Sequence, residues 1–118
     1  MSQRNSVRAA RNLSDPALEM IADRFKALSE PIRLKLIIQL ETGERNVSEL
    51  VESLGATQAN ISRHLQTLTD TGIISRRKEG QRAFYHISDP AVFDLCQVVC
   101  GSLKKQFERQ AKVGHLFS

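Results

Sequence analysis

The sequence predicts a mainly α-helical fold with a β-hairpin wing, a winged helix-turn-helix of about five helices. Capping residues, Pro and Gly divide the chain up to Gly72 into four segments of helical period. A stretch of period two with a glycine-bearing turn follows, and one more long amphipathic segment comes after it. With 118 residues, the chain has room for one domain with a modest core.

Composition and charge narrow the class of protein. Hydrophobic residues make up 41% of the chain and charged residues 25%, as in a folded domain. The net charge of +4 favours an anionic partner such as nucleic acid. The N-terminal segment lacks the apolar core of a signal peptide, and no apolar run approaches the roughly 20 residues that span a bilayer. We therefore expect a soluble cytoplasmic protein with no membrane partner.

The two ends of the sequence are predicted to lie outside the folded domain. Residues 1–12 are polar and basic without a helical apolar stripe, so we expect a basic flexible arm. This arm is either a solvated tail or a contact to a phosphate backbone. The folded domain is expected over residues 13–111, and residues 112–118 are expected to form a tail.

Three helices are predicted before Thr57. The first, SDPALEMIADRFKAL, has Ser14 or Asp15 as its N-cap and a proline in its first turn. The second, SEPIRLKLIIQLETG, is apolar on nearly all sides and is therefore expected at the centre of the core. The third, NVSELVESLG, places Asn46 and Glu49 at the spacing of a capping box.

The fourth helix, TQANISRHLQTLTDTG, follows the turn Gly55-Ala56, begins at the N-cap Thr57 and ends at Gly72. Two short helices joined by such a turn predict a helix-turn-helix. Amide side chains can bind adenine and arginine can bind guanine in the DNA major groove, so an outer face with one charge suits base edges. That face holds Gln58, Ala59, Asn60, Ser62, Arg63 and Gln66.

The stretch IISRRKEGQRAFYHI predicts a hairpin with strands at residues 73–78 and 82–87 and a turn at Glu79-Gly80-Gln81. A basic hairpin after a DNA-contacting helix is a wing that lies along the backbone or minor groove. The alternative is an exposed hairpin that uses charge against edge pairing. The hairpin has one acidic residue, Glu79, and four cations, namely Arg76, Arg77, Lys78 and Arg82.

The last segment, SDPAVFDLCQVVCGSLKKQFERQAK, predicts a helix of about twenty residues, capped by Ser88 or Asp89. A small single domain covers only part of so long an apolar stripe, which indicates a partner subunit. The stripe consists of Val92, Leu95, Cys96, Val99, Leu103 and Phe107.

This order of elements resembles the ArsR/SmtB family of bacterial winged-helix repressors. The stretches LSEPIRLKLIIQL and VSELVESLGATQANISRHLQTLTDTGIISRRKEGQRAFYHIS carry the resemblance, together with the Asp89-Pro90 start of the last helix. The resemblance implies a homodimer formed by the first and last helices. Two recognition helices would then lie in successive major grooves of a palindromic operator in double-stranded DNA.

The resemblance also implies roles for single residues. By the motif match, the DNA contacts come from Thr57, Gln58, Asn60, Ser62 and Arg63. His64 would be packed or near a phosphate. Family members leave DNA when an inducer binds, often a metal ion, but the family's usual sites are incomplete here. The third helix has no cysteine, the second helix has none to pair with the last, and Ala91 stands where a ligand histidine is expected.

Cys96 and Cys100, the only two cysteines, remain as candidate sensor thiols. Residues four apart lie on one face of a helix, and thiolates favour soft ions such as Zn, Cd, Cu(I) or trivalent As. Cysteines of a partner subunit, or His115, would complete the ligand set. Two alternatives stay open: the thiols are oxidised or persulfidated, or they only fill the core.

Other function classes fit the sequence less well. It has no Gly-rich phosphate loop, no HExxH and no nucleophile elbow, so we expect no enzyme. A winged helix used for protein binding would present an apolar or acidic recognition face, whereas this face is polar and lies beside a basic wing. His86, in the second strand of the hairpin, is expected to be structural or near a phosphate. An inducer-independent or autoregulating repressor with structural cysteines would share the fold.

Overall fold

The computed structural model describes residues 12–108 and residue 116. The five predicted helices and the hairpin are present, with one additional short strand. The predicted arm and tail lie outside the described residues, apart from Asn12 and Leu116. The elements in chain order are α1 (Asp15–Ala27), α2 (Pro31–Leu40), β1 (Arg45–Asn46), α3 (Val47–Leu54), α4 (Gln58–Asp70), β2 (Ile74–Glu79), β3 (Arg82–Ile87) and α5 (Ala91–Glu108).

The helices begin where the capping residues predict. Ser14 caps α1 by accepting a hydrogen bond from the Ala17 amide, at 3.3 Å. Asn46 and Glu49 form the predicted capping box, and each side chain accepts a bond of 2.9 Å from the other residue's amide. Gly55 ends α3 with φ of 65°, a left-handed conformation that glycine adopts without a Cβ clash. The helix-turn-helix is therefore defined by local signals.

The sheet has three antiparallel strands in the order β1-β3-β2. The hairpin strands lie one residue or less from their predicted limits, and the turn is shorter than predicted because Glu79 still pairs with Arg82. Strand β1 was not predicted, since two residues are too few to show a period. Residues paired across a ladder point to the same face of a sheet. Arg76 therefore shares a face with Tyr85, and Arg77 shares the opposite face with Phe84.

The core lies between α2, the inner side of α4 and the start of β2. Ile61, Leu65 and Leu68 of α4 are fully buried, as their spacing predicts. They pack in one cluster with Leu36, Ile37, Leu40, Leu50, Ile73 and Ile74. This packing fixes which side of α4 faces outward.

Helices α1 and α5 leave apolar side chains uncovered on the single chain. Only Val92 of α5 and Ala27 of α1 are buried. The α1–α5 face is defined here as the exposed apolar side chains of these two helices, namely Leu18, Met20, Ile21, Phe25, Val98 and Val99. Within the described part of the chain, no helix is long and apolar enough to cross a membrane.

Candidate DNA-binding surface

The outer face of α4 presents the polar side chains that the sequence predicts. The Thr57 hydroxyl accepts a hydrogen bond of 3.2 Å from the Asn60 amide and starts the helix. Because the core holds Ile61, Leu65 and Leu68, the opposite side of the helix points away from it. Asn60 is half-buried, and the exposed residues are Thr57, Gln58, Ala59, Ser62, Arg63 and Gln66.

Two side-chain hydrogen bonds run along this face. The Arg63 guanidinium donates to Asn60 Oδ1 at 2.7 Å, and Gln66 Nε2 donates to Asp70 Oδ1 at 2.7 Å. Gln58 and Ser62 have no side-chain hydrogen bond among the described residues. The face therefore combines side chains held in place by a neighbour with side chains that are open to a ligand.

The wing and α4 enclose one concave groove with a volume of about 620 Å³. Helix α4 contributes Gln58, Ser62 and Gln66, and the hairpin contributes Arg76 and Arg82. Two acidic residues of α3, Glu49 and Glu52, also line it, and sequence reasoning did not place α3 there. The fold thus brings the predicted recognition helix and predicted wing cations onto one surface.

The four wing cations differ in what compensates their charge. In the described part of the chain, no carboxylate lies within 4.0 Å of Arg76, Lys78 or Arg82. We call these three side chains and the outer face of α4 the helix–wing surface. It holds ten of the eleven residues predicted to contact DNA, all except Arg77.

Arg77 lies on the face of the wing opposite to that of Arg76, in a compact ion cluster. Its guanidinium donates to both Glu44 oxygens, at 2.7 and 3.1 Å, and to Glu79 at 2.6 Å. It also stacks over the Phe84 ring, 4.9 Å from the centroid. The hydrogen bond from Arg77 holds the pKa of Glu44 below its usual value, and the two carboxylates raise the pKa of Arg77. The sequence gives no local signal for this cluster, because Glu44 is 33 residues away.

His86 is half-exposed beside the Arg77 cluster. Its Nδ1 lies 3.8 Å from Glu44 and has no hydrogen-bond partner among the described residues. It lies on the same side of the wing as Arg77.

His64, on the inner side of α4, is packed. It is 4% exposed, and its Nδ1 lies 3.0 Å from the buried Arg33 guanidinium. Burial lowers the pKa of His64, and the charges of Arg63 and Arg33 lower it further, against a smaller opposing effect of Glu30. A neutral imidazole can accept the Arg33 hydrogen bond at Nδ1, so the pair is stable without a buried carboxylate.

Two arginines connect the recognition helix to α1 and α5. Arg33 donates to the Ala27 carbonyl at 2.6 Å and the Lys26 carbonyl at 3.2 Å, while it holds His64 of α4. Arg24 of α1 donates to the Thr71 carbonyl at the end of α4, at 2.8 Å, and to the Asp89 carboxylate just before α5. Helix α4 is thus tied to α1 at its middle and at its end. Sequence reasoning missed both links.

Cys96 and Cys100 both line an apolar groove of about 400 Å³ between α5 and helices α1 and α2. Cys96 is half-buried and Cys100 is exposed. Burial raises the pKa of the Cys96 thiol. No group of three or more His, Cys, Asp or Glu suited to a metal ion occurs among the described residues, and His115 lies outside them. Within one described chain, the two thiols are thus an incomplete set for a four-coordinate ion.

A family model and the curated relatives of this chain indicate the same family. Residues 30–76 match the model of the arsR family of bacterial regulatory proteins. A probable mercury resistance operon repressor of Streptomyces lividans is 44% identical over 71 residues, which cover 60% of this chain and 57% of that protein. The HTH-type transcriptional regulator Rv0081 of Mycobacterium tuberculosis is 31% identical over 86 residues, 72% of this chain and 75% of the regulator.

The solved structures agree with this assignment. The crystal structure of Rv0081 matches with a TM-score of 0.72 and 27% identity, over 83% of this chain and 99% of that chain. A homodimeric winged helix-turn-helix domain from Mycobacterium bovis, a possible ArsR-family regulator, matches with a TM-score of 0.70 and 29% identity. The match covers 84% of this chain and 94% of that domain. The chain has the winged helix-turn-helix fold. It belongs to the ArsR family and is a DNA-binding transcriptional repressor of the ArsR/SmtB type, not an enzyme.

Proposed function

We propose that the chain acts as a homodimer that binds a palindromic operator through the helix–wing surface and leaves it when an inducer acts at α5. The observation that carries this proposal is the single groove shared by Gln58, Ser62 and Gln66 of α4 and by Arg76 and Arg82 of the wing. The uncharged hydrogen-bonding groups of α4 suit base edges, and the cations of the wing suit phosphates.

The DNA contacts divide by chemistry. Arg63 and Asn60, already bonded to each other, would bind base edges together with the amides of Gln58 and Gln66. Thr57, Ala59 and Ser62 are exposed at the N-cap and in the N-terminal half of α4, where they would contact the DNA backbone or base methyl groups. Phosphates would be bound by the uncompensated cations Arg76, Lys78 and Arg82. Arg77 would reach a phosphate only by breaking its hydrogen bonds to Glu44 and Glu79, so we expect it to contribute least to DNA binding.

The dimer would form through the α1–α5 face. Exposed apolar side chains clustered on two helices are typical of a protein interface. The homodimeric state of the Mycobacterium bovis neighbour supports a homodimer. A twofold axis makes the two recognition helices equivalent, which is why the operator would be palindromic. The dimer would act in the cytoplasm, where its operator lies.

The inducer would act on Cys96 and Cys100, either as a soft metal or metalloid ion or as a thiol-reactive compound. Both thiols line a groove of α5, which belongs to the proposed dimer face. The naming of one relative as a probable mercury resistance operon repressor supports a soft ion. The alternative is an inducer-independent or autoregulating repressor with structural cysteines. The packing of Cys96 against the core favours that alternative.

The test is fluorescence anisotropy of a labelled duplex from the region upstream of the chain's own gene. The reduced protein should bind it much more tightly than a scrambled duplex, and affinity should fall steeply with salt. Blocking both thiols should weaken binding, and the Cys96→Ser, Cys100→Ser double variant should be insensitive to the reagent. Equal binding before and after blocking would support the structural-cysteine alternative. Salt-insensitive binding would contradict the DNA contacts and favour a protein-interaction module.

A further inference from the structure

The groove between α5 and helices α1 and α2 combines two thiols with a hydrocarbon wall. Its other lining side chains are aromatic or aliphatic, including Phe25, Leu34 and Leu95. Cys96 packs against the edge of the core, while Cys100 lies one turn further along α5 and is exposed. The groove is therefore rich in soft sulfur ligands and poor in groups that could hydrogen-bond to a ligand.

This chemistry restricts which ion would bind. Zinc and cadmium prefer four ligands, and the described residues hold no cluster of three or more suitable side chains. Arsenic(III) bound by two thiolates keeps a hydroxyl group, which needs a hydrogen-bond partner in an apolar groove. Mercury(II) prefers two thiolates in a linear arrangement. Its bis-thiolate complex carries no net charge, so an apolar groove does not oppose it.

We propose that Cys96 and Cys100 of one chain chelate a single mercury(II) ion as a neutral two-coordinate complex. Two S–Hg bonds form while the ion releases the two ligands that it carried in solution, such as chloride or small thiolates; the two S–H protons go to solvent or to the released thiolates, and no atom is oxidised or reduced. Residues four apart on a helix have Cβ atoms about 6 Å apart, so both sulfurs can reach an ion placed between them. The site does not depend on DNA binding, but its role as the inducer site rests on the proposed function.

The contacts around α5 give the bound ion a route to the recognition helix. The ion would lie in the groove between α5 and helices α1 and α2, next to side chains such as Leu34 and Leu95, and drawing the two sulfurs onto it would change how α5 packs there. Arg24 of α1 holds both Asp89, just before α5, and the Thr71 carbonyl, at the end of α4. A change in the packing of α5 against α1 is thus transmitted to α4 through one guanidinium group.

The experiment incubates the reduced full chain with mercuric chloride and an excess of a small monothiol, separates the protein by gel filtration, and measures the mercury that remains per chain together with the ultraviolet spectrum of the protein fraction. We expect one ion per chain, with the spectrum of two-coordinate mercury. Cys96→Ser and Cys100→Ser should each weaken binding about 100-fold, because the second thiolate no longer binds within the same molecule. Zinc(II) and arsenite at the same concentration should not compete.

A matched control distinguishes the effect of where the thiols lie from the effect of how many there are. The combination of Cys100→Ser with Ser102→Cys keeps two cysteines on α5 but places them on different sides of the helix. Circular dichroism of each variant checks that it folds. The relocated pair should bind as weakly as either single variant.

Three results would overturn the chelate: binding by the relocated pair as tight as by the native protein, one ion shared by two chains, or zinc binding as tight as mercury binding. Operator affinity of the mercury-free protein is measured separately. A mercury-free protein that does not bind its operator would contradict the proposed function without affecting the chelate. Operator binding that persists in the mercury-loaded protein would overturn the inducer role of the site.

Discussion

The helix–wing surface and the α1–α5 face are both exposed on the single chain, but they differ in chemistry. The first is polar and cationic, and its hydrogen bonds, such as that from Arg63 to Asn60, are made within one chain. The second exposes large apolar side chains, with Val98 exposed to 69%. The first surface is ready to bind a charged ligand, whereas the second needs an apolar partner. DNA binding should therefore depend on salt, and dimerisation should not.

The largest expected effect comes from a charge on the α1–α5 face. Val98→Glu would bury an unpaired carboxylate in an apolar interface, so we expect monomers at micromolar concentration. Operator affinity should fall by at least about 100-fold, because each half-site is then bound separately. Sedimentation and anisotropy measure the two effects. Ser53→Glu, on α3, adds the same charge elsewhere and should remain dimeric; a dimeric Val98→Glu protein would contradict the assigned interface.

The next effect concerns sequence discrimination at the helix–wing surface. Arg63→Ala should cost about 1–3 kcal/mol on the matched duplex and much less on a duplex changed at the contacted base pair. Anisotropy on both duplexes measures the difference. Arg76→Ala is the matched control, since removing a cation that binds a phosphate should weaken binding to both duplexes alike. Equal reductions in affinity on the two duplexes for both variants would argue against this division of roles.

A smaller effect is expected on the salt dependence of DNA binding, and it should differ between Arg76 and Arg77, which lie on opposite faces of the wing. Arg76→Gln should reduce the slope of log affinity against log salt by about 0.9 for each phosphate that is no longer neutralised, hence by about 2 per dimer. Arg77→Gln should leave the slope nearly unchanged, because its charge is already compensated by Glu44 and Glu79. Anisotropy at several salt concentrations provides the slopes. A larger change for Arg77→Gln would show that the ion cluster opens on DNA.

Some of the features on which these predictions depend could be predicted from the sequence, and others could not. The capping box at Asn46 and Glu49, the turn at Gly55 and the inward spacing of Ile61 and Leu65 are local patterns, and the structure has each of them. The outer face of α4 follows from those patterns, because the inward residues determine what remains outside. That part of the candidate site could be predicted from the chain alone.

The features that sequence reasoning missed depend on residues far apart in the chain. Strand β1 has only two residues and exists because it pairs with β3. Arg77 is separated by 33 residues from Glu44, and Arg24 by 65 residues from Asp89. Arginines and carboxylates are common on any surface, so no period or motif identifies which of them will meet. The compensation of Arg77 and the links from α1 to α4 therefore required the structure.

The smallest expected effect concerns His64, which joins the two surfaces through Arg33. Burial lowers the pKa of His64 below 6.5, so the folded state stays neutral at pH values where the unfolded state takes up a proton. Stability is therefore complete above pH 6.5 and falls as the pH decreases below it, by at most about 1.4 kcal/mol per pH unit for one proton. His64→Gln should be less stable at pH 7.5 but lose less stability between pH 7.5 and 5.5. Urea unfolding at the two pH values measures this difference. The other two histidines are present in both proteins, so an equal loss of stability in the variant would assign the pH dependence to groups other than His64.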